Sequence, residues 1–428
     1  MTSIIIDFPL KNKLLSWLHR IARLSGFVLI RYFKKVTLHL ISCLLLLQFG
    51  GYIFGQELSI QSAVDSALLN NYVLKNARLL VKQSIVQEKS KFSPGQTDIS
   101  YSYGELNASI PDTYLEIEQD FGNVVKQVRL SGESQALTSI HKSQLEQLER
   151  EISFDVKMKW QEWIYSCQKI KLLEKEFNIL MEQFQEKKLK DETGEICCLN
   201  ICFIETEMSK IRNASAIEKV NLIRAKKELL IITMIRGDIE PPECYTLEIN
   251  QLPSDRALIN SQLLNLQQAR IDHSQKVWNT AKSDHFPDLY FSYFNQAISP
   301  EIGLQGFKVG IRVPLWFFPN QKATRSAKIN IEYAQNEYER SKVHLNSEYE
   351  NSLIELGIYL RLFEEHGENW EQQSKLLLER SGLQLRLGEI DQFVYVQSYR
   401  QALELQKQRI ELINNLNLAI IKVEYFQP

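Results

Sequence analysis

Residues 133–193 run for 61 positions without a glycine or proline, and beyond Gly194 another 42 positions, 195–236, are free of both. An interior glycine costs a helix roughly 1 kcal/mol and a proline about 3 kcal/mol, so such a run reads as helix throughout. Apolar residues recur along it at Leu145, Leu148, Ile152, Val156, Trp160, Trp163, Cys167, Ile170, Leu173, Phe177, Leu180 and Phe184. They are spaced by threes and fours, which is the seam of a coiled coil. At 1.5 Å per residue the helix would extend roughly 90 Å, about three times the width of a small domain. That length suits a rod, a tunnel wall or a fibre, and no globular core.

The feature is duplicated. "KFSPGQTDISYSY" is answered by "SDHFPDLYFSYF", with Pro94 and Pro287 193 positions apart. "TGEICCLN" is answered by "LGEIDQF", with Gly194 and Gly388 194 positions apart. An offset held to one residue over a hundred positions defines two repeats, 56–245 and 253–428, joined by a linker at 246–252. Each repeat reads as helix, strand pair and long helical hairpin. The first helix spans the glycine- and proline-free run 57–93, and its counterpart spans 254–286.

The strands alternate with period two. Ile99, Tyr101 and Tyr103 alternate with serines, and residues 114–121 alternate more weakly. Leu289, Phe291 and Tyr293 share one face, as do Phe307, Val309, Ile311, Val313 and Leu315, with Lys308 and Arg312 opposite. One apolar and one cationic face suits lipid on one side and water on the other. Trp316, Phe317 and Phe318 follow the last strand, either as part of an interfacial girdle or as packing where strand becomes helix.

Residues 1–55 read as a signal peptide with an extended n-region: "RYFKK" supplies positive charge, 36–54 the apolar core, and Gly55 a small residue for cleavage. An uncleaved anchor and lipidation of Cys43 are the alternatives. No later stretch reaches the 18 apolar residues of a spanning helix, so a membrane-crossing part must be a closed barrel. The net charge of -2 argues against nucleic acid as a partner. The seven histidines are scattered, with no metal-protease, nucleophile-elbow or phosphate-loop pattern, so the expectation is no enzyme and no cofactor.

Together these motifs resemble the TolC-like outer-membrane factors, the ducts of tripartite efflux pumps and type I secretion systems. "FPDLYFSYF" is similar to the family's proline-led strand, and "KVGIRVPLWFFPNQKATRSAKIN" to the strand that leads into a hairpin helix. "RLGEID" followed by "VQSYRQALEL" resembles the tip turn, most closely that of members from heavy-metal-type RND systems. The resemblance implies a mainly α fold with a β-barrel part: a homotrimer forming a twelve-stranded outer-membrane barrel and a periplasmic helical tunnel. It implies a periplasmic adaptor and an inner-membrane RND-type transporter as partners, besides outer-membrane lipid. Tyr101, Tyr103, Phe291, Tyr293, Val309, Ile311 and Val313 would lie on barrel strands.

At the tips, Gly194 and Gly388 would make the reversals, and Glu195, Glu389 and Asp391 either cap the returning helices or form an acidic, adaptor-docking rim. Where family members place acidic constriction residues beyond the glycine, this chain has Val394 and Gln397. "GEICCLNICF" places Cys198 and Cys202 four apart on one helix face, between Glu195 and Glu205. They read as small apolar packing, as a soft-metal contact or as a redox pair. Two thiolates fall short of the four ligands of a structural zinc, and the second tip carries no cysteine. The competing function is a periplasmic coiled-coil adaptor or structural rod. A metal-handling enzyme, resting on the cysteines, is more distant.

Overall fold

The structure, a computed structural model, describes residues 59–89, 95–105, 111–191, 198–237, 239, 261–298, 301–313, 315 and 317–427. The signal-peptide expectation at 1–55 and the linker at 246–252 lie outside them. The described chain is mainly helical with one small sheet. In order come α1 (Ile60–Asn70), α2 (Tyr72–Lys89), β1 (Thr97–Gly104), β2 (Asp112–Gly122), α3 (Val124–Asp191) and α4 (Cys198–Thr233). After these come α5 (Ser261–Ser283), β3 (Asp288–Ile298), β4 (Glu301–Arg312), α6 (Phe317–Leu362), a π-turn (Phe363–Gly367), α7 (Glu368–Leu387) and α8 (Gln392–Phe426).

The seam read from the sequence is where α3 packs. Val156, Trp160 and Trp163 are buried against Ala63, Val64 and Ala67 of α1 and Leu229 of α4, with the two indoles edge to face at 5.3 Å. Toward the tip, Leu180 of α3 packs with Ile204, Met208 and Ile211 of α4 and Val396 of α8. In the second repeat, Tyr349 and Leu356 of α6 meet Leu416, Ile420 and Val423 of α8. At 68 residues α3 exceeds the glycine-free run: it starts nine positions earlier and passes through Gly132. One glycine costs a long, packed helix too little to stop it.

Two breaks depart from the sequence reading. Within the run 57–93, the described residues 60–89 form two helices, because Asn71 interrupts them. Its N–H donates to the Ala67 carbonyl at 2.9 Å, its side-chain oxygen accepts from the Val73 N–H at 2.8 Å, and its amide donates to the Ile232 carbonyl at 3.0 Å. An asparagine that satisfies the backbone locally competes with helix continuation without any glycine or proline. In the second hairpin the helix widens into the π-turn. The Phe363 ring occupies the space a Gly367 side chain would need, and Arg409 Nε donates to the Gly367 carbonyl at 3.0 Å. Single π-turns of this kind insert one extra residue per turn and redirect the helix beyond them.

The four strands form one antiparallel sheet in the order β1-β2-β3-β4, so β2 and β3 join the two repeats. Its register shifts at Asp120/Gly122 and again at Gln296/Ile298. Strands β1 and β4 are its edges. Among the described residues no helix is long and apolar enough to cross a membrane.

Candidate functional site

The sheet has two chemically opposite faces. Register aligns Ile99, Ile117, Tyr293 and Phe307 in one row, and Phe291 and Val309 in the next. The rings of Phe291 and Tyr293 lie 5.7 and 5.5 Å from that of Phe307. This face is uncovered: Ile99, Tyr101, Tyr103, Val309 and Ile311 are all exposed, Val309 by 81%, and so is Val313. Phe291 is also exposed, and Tyr293, half-buried, turns its hydroxyl to Gln305 at 2.7 Å. Six of the seven strand residues singled out in the sequence lie on strands and share this face; Val313, read as part of the last strand, follows β4, which ends at Arg312. A row of large apolar residues facing outward is costly in water and natural in lipid.

The other face is an ionic lattice. Lys308 reaches Glu116 at 2.9 Å and the Tyr114 hydroxyl at 2.6 Å, while Ser292, buried, donates to Glu116 at 2.7 Å. Arg312 binds Asp120 at 2.7 Å and Glu118. Beside the cations, Gly306 and Gly310 leave space that the rings of Phe294 and Tyr290 fill from the neighbouring strand. The Lys308 ammonium lies 5.3 Å from the Tyr114 and Phe294 rings, and the Arg312 guanidinium 4.7 Å from Tyr290. Covering strand glycines with cross-strand aromatics restores the packing that a missing side chain forfeits. Glu116, Glu118 and Asp120 were not singled out from the sequence. The signal was there in weak form: the pair Gly306/Gly310 and the pair Tyr290/Phe294 are both four apart on adjacent strands.

At the second tip, Gly388 caps α7 in the left-handed region at φ 72°. Its N–H donates to the Leu385 carbonyl at 3.1 Å and the Glu389 N–H to that of Gln384 at 3.0 Å, a Schellman pair. Asp391 is the N-cap of α8, its carboxylate accepting from the Val394 N–H at 2.8 Å. Glu389, Val394 and Gln397 are exposed. Gly194, Glu195 and Cys197 lie outside the described residues, as does the side chain of Cys198. Cys202 is exposed. Nearby, Phe203 of α4 and Phe393 of α8 approach to 6.2 Å between ring centres, so the described ends of the two hairpins meet.

A four-stranded two-faced sheet continued by paired helices of this length is the protomer fold of solved outer-membrane channels. No family model and no curated protein matches the sequence. Solved structures do match. CusC, described with the conformational changes that accompany its folding and transmembrane channel formation, is 14% identical with a TM-score of 0.71, over 86% of this chain and 92% of that one. The CmeC outer membrane channel of Campylobacter jejuni is 14% identical with a TM-score of 0.71, over 86% and 84%. The outer membrane protein VceC of Vibrio cholerae is 13% identical with a TM-score of 0.70, over 86% and 96%.

Proposed function

We propose that this chain is a TolC-like outer-membrane channel of a tripartite efflux pump, a passive duct through which substrate leaves the cell envelope. The observation that carries the reading is the sheet: one face dominated by large apolar side chains, most of them exposed, the other charged and internally paired. An open sheet of four strands cannot stay in lipid with two unpaired edges. Three copies would close twelve strands, turning the apolar face to lipid and the Lys308–Glu116 and Arg312–Asp120 pairs to a water-filled lumen. The hairpins would continue that lumen as a tunnel across the periplasm. No bond chemistry is involved.

The tip fits the remaining roles. Gly388, Glu389 and Asp391, with Gly194 and Glu195 of the first hairpin, would form the closed end on which a periplasmic adaptor docks, with an RND-type transporter beneath it. The "RLGEID" turn favours a pump of the heavy-metal type. Because no acidic residue stands at 394 or 397, the constriction would be lined by Val394 and Gln397. The test is fractionation of the cell envelope followed by gels of unheated detergent extracts. An outer-membrane band near three times the monomer mass, with ion conductance in a planar bilayer, is expected. A soluble periplasmic monomer overturns the reading.

A further inference from the structure

One end of the sheet joins the helices. There Thr97 pairs with Gln119 and Asp288 with Arg312, so β1 and β3 begin and β2 and β4 end at the same level. Exposed apolar residues continue past that end: after Ile311 come Val313, Leu315 and, in the first turn of α6, Phe318, which is 74% exposed. Beyond Phe318 the helix becomes cationic. From Phe317 to Ile331 it contains Lys322, Arg325 and Lys328 and no acidic residue; the first carboxylate is Glu332. All three cations are exposed, and none has an ion pair or hydrogen bond among the described residues.

Other cations at this level are used within the chain. Lys126 pairs with Asp284 at 2.6 Å, Arg129 Nη1 donates to the Asn279 carbonyl at 2.6 Å, and Lys282 lies over the Trp278 ring. Lys322, Arg325 and Lys328 instead follow one another at steps of three, where like charges on a helix repel. Nor do they hold α6 in place. Helix α6 seats on α5 by its opposite side, where Asn320 and Thr324 donate to the carbonyls of Asp284 and Ala281 and Ala327 is buried. At about 3.6 residues per turn, Phe318, Lys322 and Arg325 form one stripe facing away from that seat, with Lys328 at its edge. At about 1.5 Å per residue, Lys322 lies about 6 Å and Arg325 about 10 Å beyond Phe318 along the helix.

We infer that this stripe docks on the anionic headgroups of the lipid leaflet that faces the periplasm, with Phe318 at the hydrocarbon boundary and Lys322, Arg325 and Lys328 on lipid phosphates. The spacing fits a lipid surface. The polar layer outside the hydrocarbon is roughly 5–7 Å thick on each side of a bilayer, so the Lys322 ammonium falls within it. The longer reach of Arg325 and Lys328 brings their charges back toward the same layer. The surface is also continuous with the apolar sheet face and complementary in charge to its partner. The opposite end of the sheet differs: residues 104–115 and 295–307 contain Glu105, Asp112 and Glu301 and no lysine or arginine. An anionic surface therefore fits the helix end. The inference rests on the outer-membrane channel reading and names the lipid chemistry that one rim of its barrel selects.

The test compares the full chain with two triple variants: Lys322→Gln, Arg325→Gln and Lys328→Gln together, and the charge-keeping Lys322→Arg, Arg325→Lys and Lys328→Arg together. Each is reconstituted into vesicles of phosphatidylcholine and phosphatidylglycerol, and the lipid at the protein boundary is read with spin-labelled forms of both. Bilayer conductance and native mass in detergent are measured on the same samples. The unaltered chain and the charge-keeping variant should prefer phosphatidylglycerol at low salt and lose the preference at high salt, since exposed charges are screened. The glutamine variant should lack the preference at any salt, with conductance and mass unchanged. Equal boundary lipid for all three chains, all conducting, overturns the docking surface and leaves the channel standing. Absence of conductance from the unaltered chain in either lipid overturns the channel reading, and the surface with it. A fall in native mass confined to the glutamine variant would show that the cations hold protein instead of lipid, which also overturns the inference.

Discussion

Arg400 on α8 reaches Glu207 on α4 at 2.9 Å, an ion pair that ties the second hairpin to the first. Glu207 is the buried member, its side chain only 8% exposed, and Lys210 of its own helix also binds it at 2.8 Å. Arg400→Met should therefore destabilise the junction by about 1–3 kcal/mol, since a buried carboxylate loses a charged partner. Faster hydrogen exchange along α8 around Tyr399 is the measurement. Adding Glu207→Gln should cost much less than it does alone, because the two act on one interaction.

Glu176 beside this pair gives the junction a pH dependence. Burial pushes its carboxyl above the ordinary value of 4.5; Arg400 and Lys407 oppose that, and Glu207 and Glu404 reinforce it. The folded state thus takes up this proton more readily than the unfolded chain does. Its stabilising effect is complete below the ordinary carboxylate pKa and is lost as pH rises through the raised one. Thermal unfolding from mildly acidic to neutral pH should show this slope. Glu176→Gln should flatten it and raise stability at neutral pH.

Gly388 and Asp391 make separable contributions to the tip. Nothing lies within 4 Å of a side-chain carbon placed on Gly388, so Gly388→Ala has room and the left-handed backbone is its only penalty. That cost is about 1–2 kcal/mol. Asp391→Ala removes the cap on the Val394 N–H and should cost about 1 kcal/mol, while Asp391→Asn keeps most of it. The unfolding midpoints of the three variants check the order.

The two faces of the sheet predict opposite responses to one charge. Val309→Lys puts an ammonium on the apolar face and should cost about 2–4 kcal/mol of insertion if the residue sits near the bilayer midplane. Ser100→Lys, on the charged face beside Glu116, should be tolerated. Folding yield into lipid vesicles distinguishes them. Equal yields would remove the assignment of the apolar face to lipid.

Much of the architecture was legible because it is periodic. The heptad-like spacing from Leu145 to Phe184 named the buried face of α3, and the alternation through Phe307, Val309 and Ile311 named the face of β4 that carries its apolar residues. The break at Asn71 was not legible, since its amide is held by the Ile232 carbonyl, 161 residues away. Nor were Glu116, Glu118 and Asp120, whose partners lie on β4, 192 or 194 residues further on. A weakly alternating strand says which residues share a face, and only register says which cation each carboxylate meets.

By itself, then, the sequence determined the helical character of the long hairpin, the apolar face of the last strand and the glycine turn at Gly388. Those properties arise from spacing within a segment, where backbone geometry alone sets which residues point the same way. Tertiary structure decided the rest: the order β1-β2-β3-β4 and the bulges that shift its register, the π-turn filled by Phe363, and the Arg400–Glu207 link between hairpins. Each depends on bringing together groups far apart in the chain, and that choice is made by loop closure and packing, which no local period encodes.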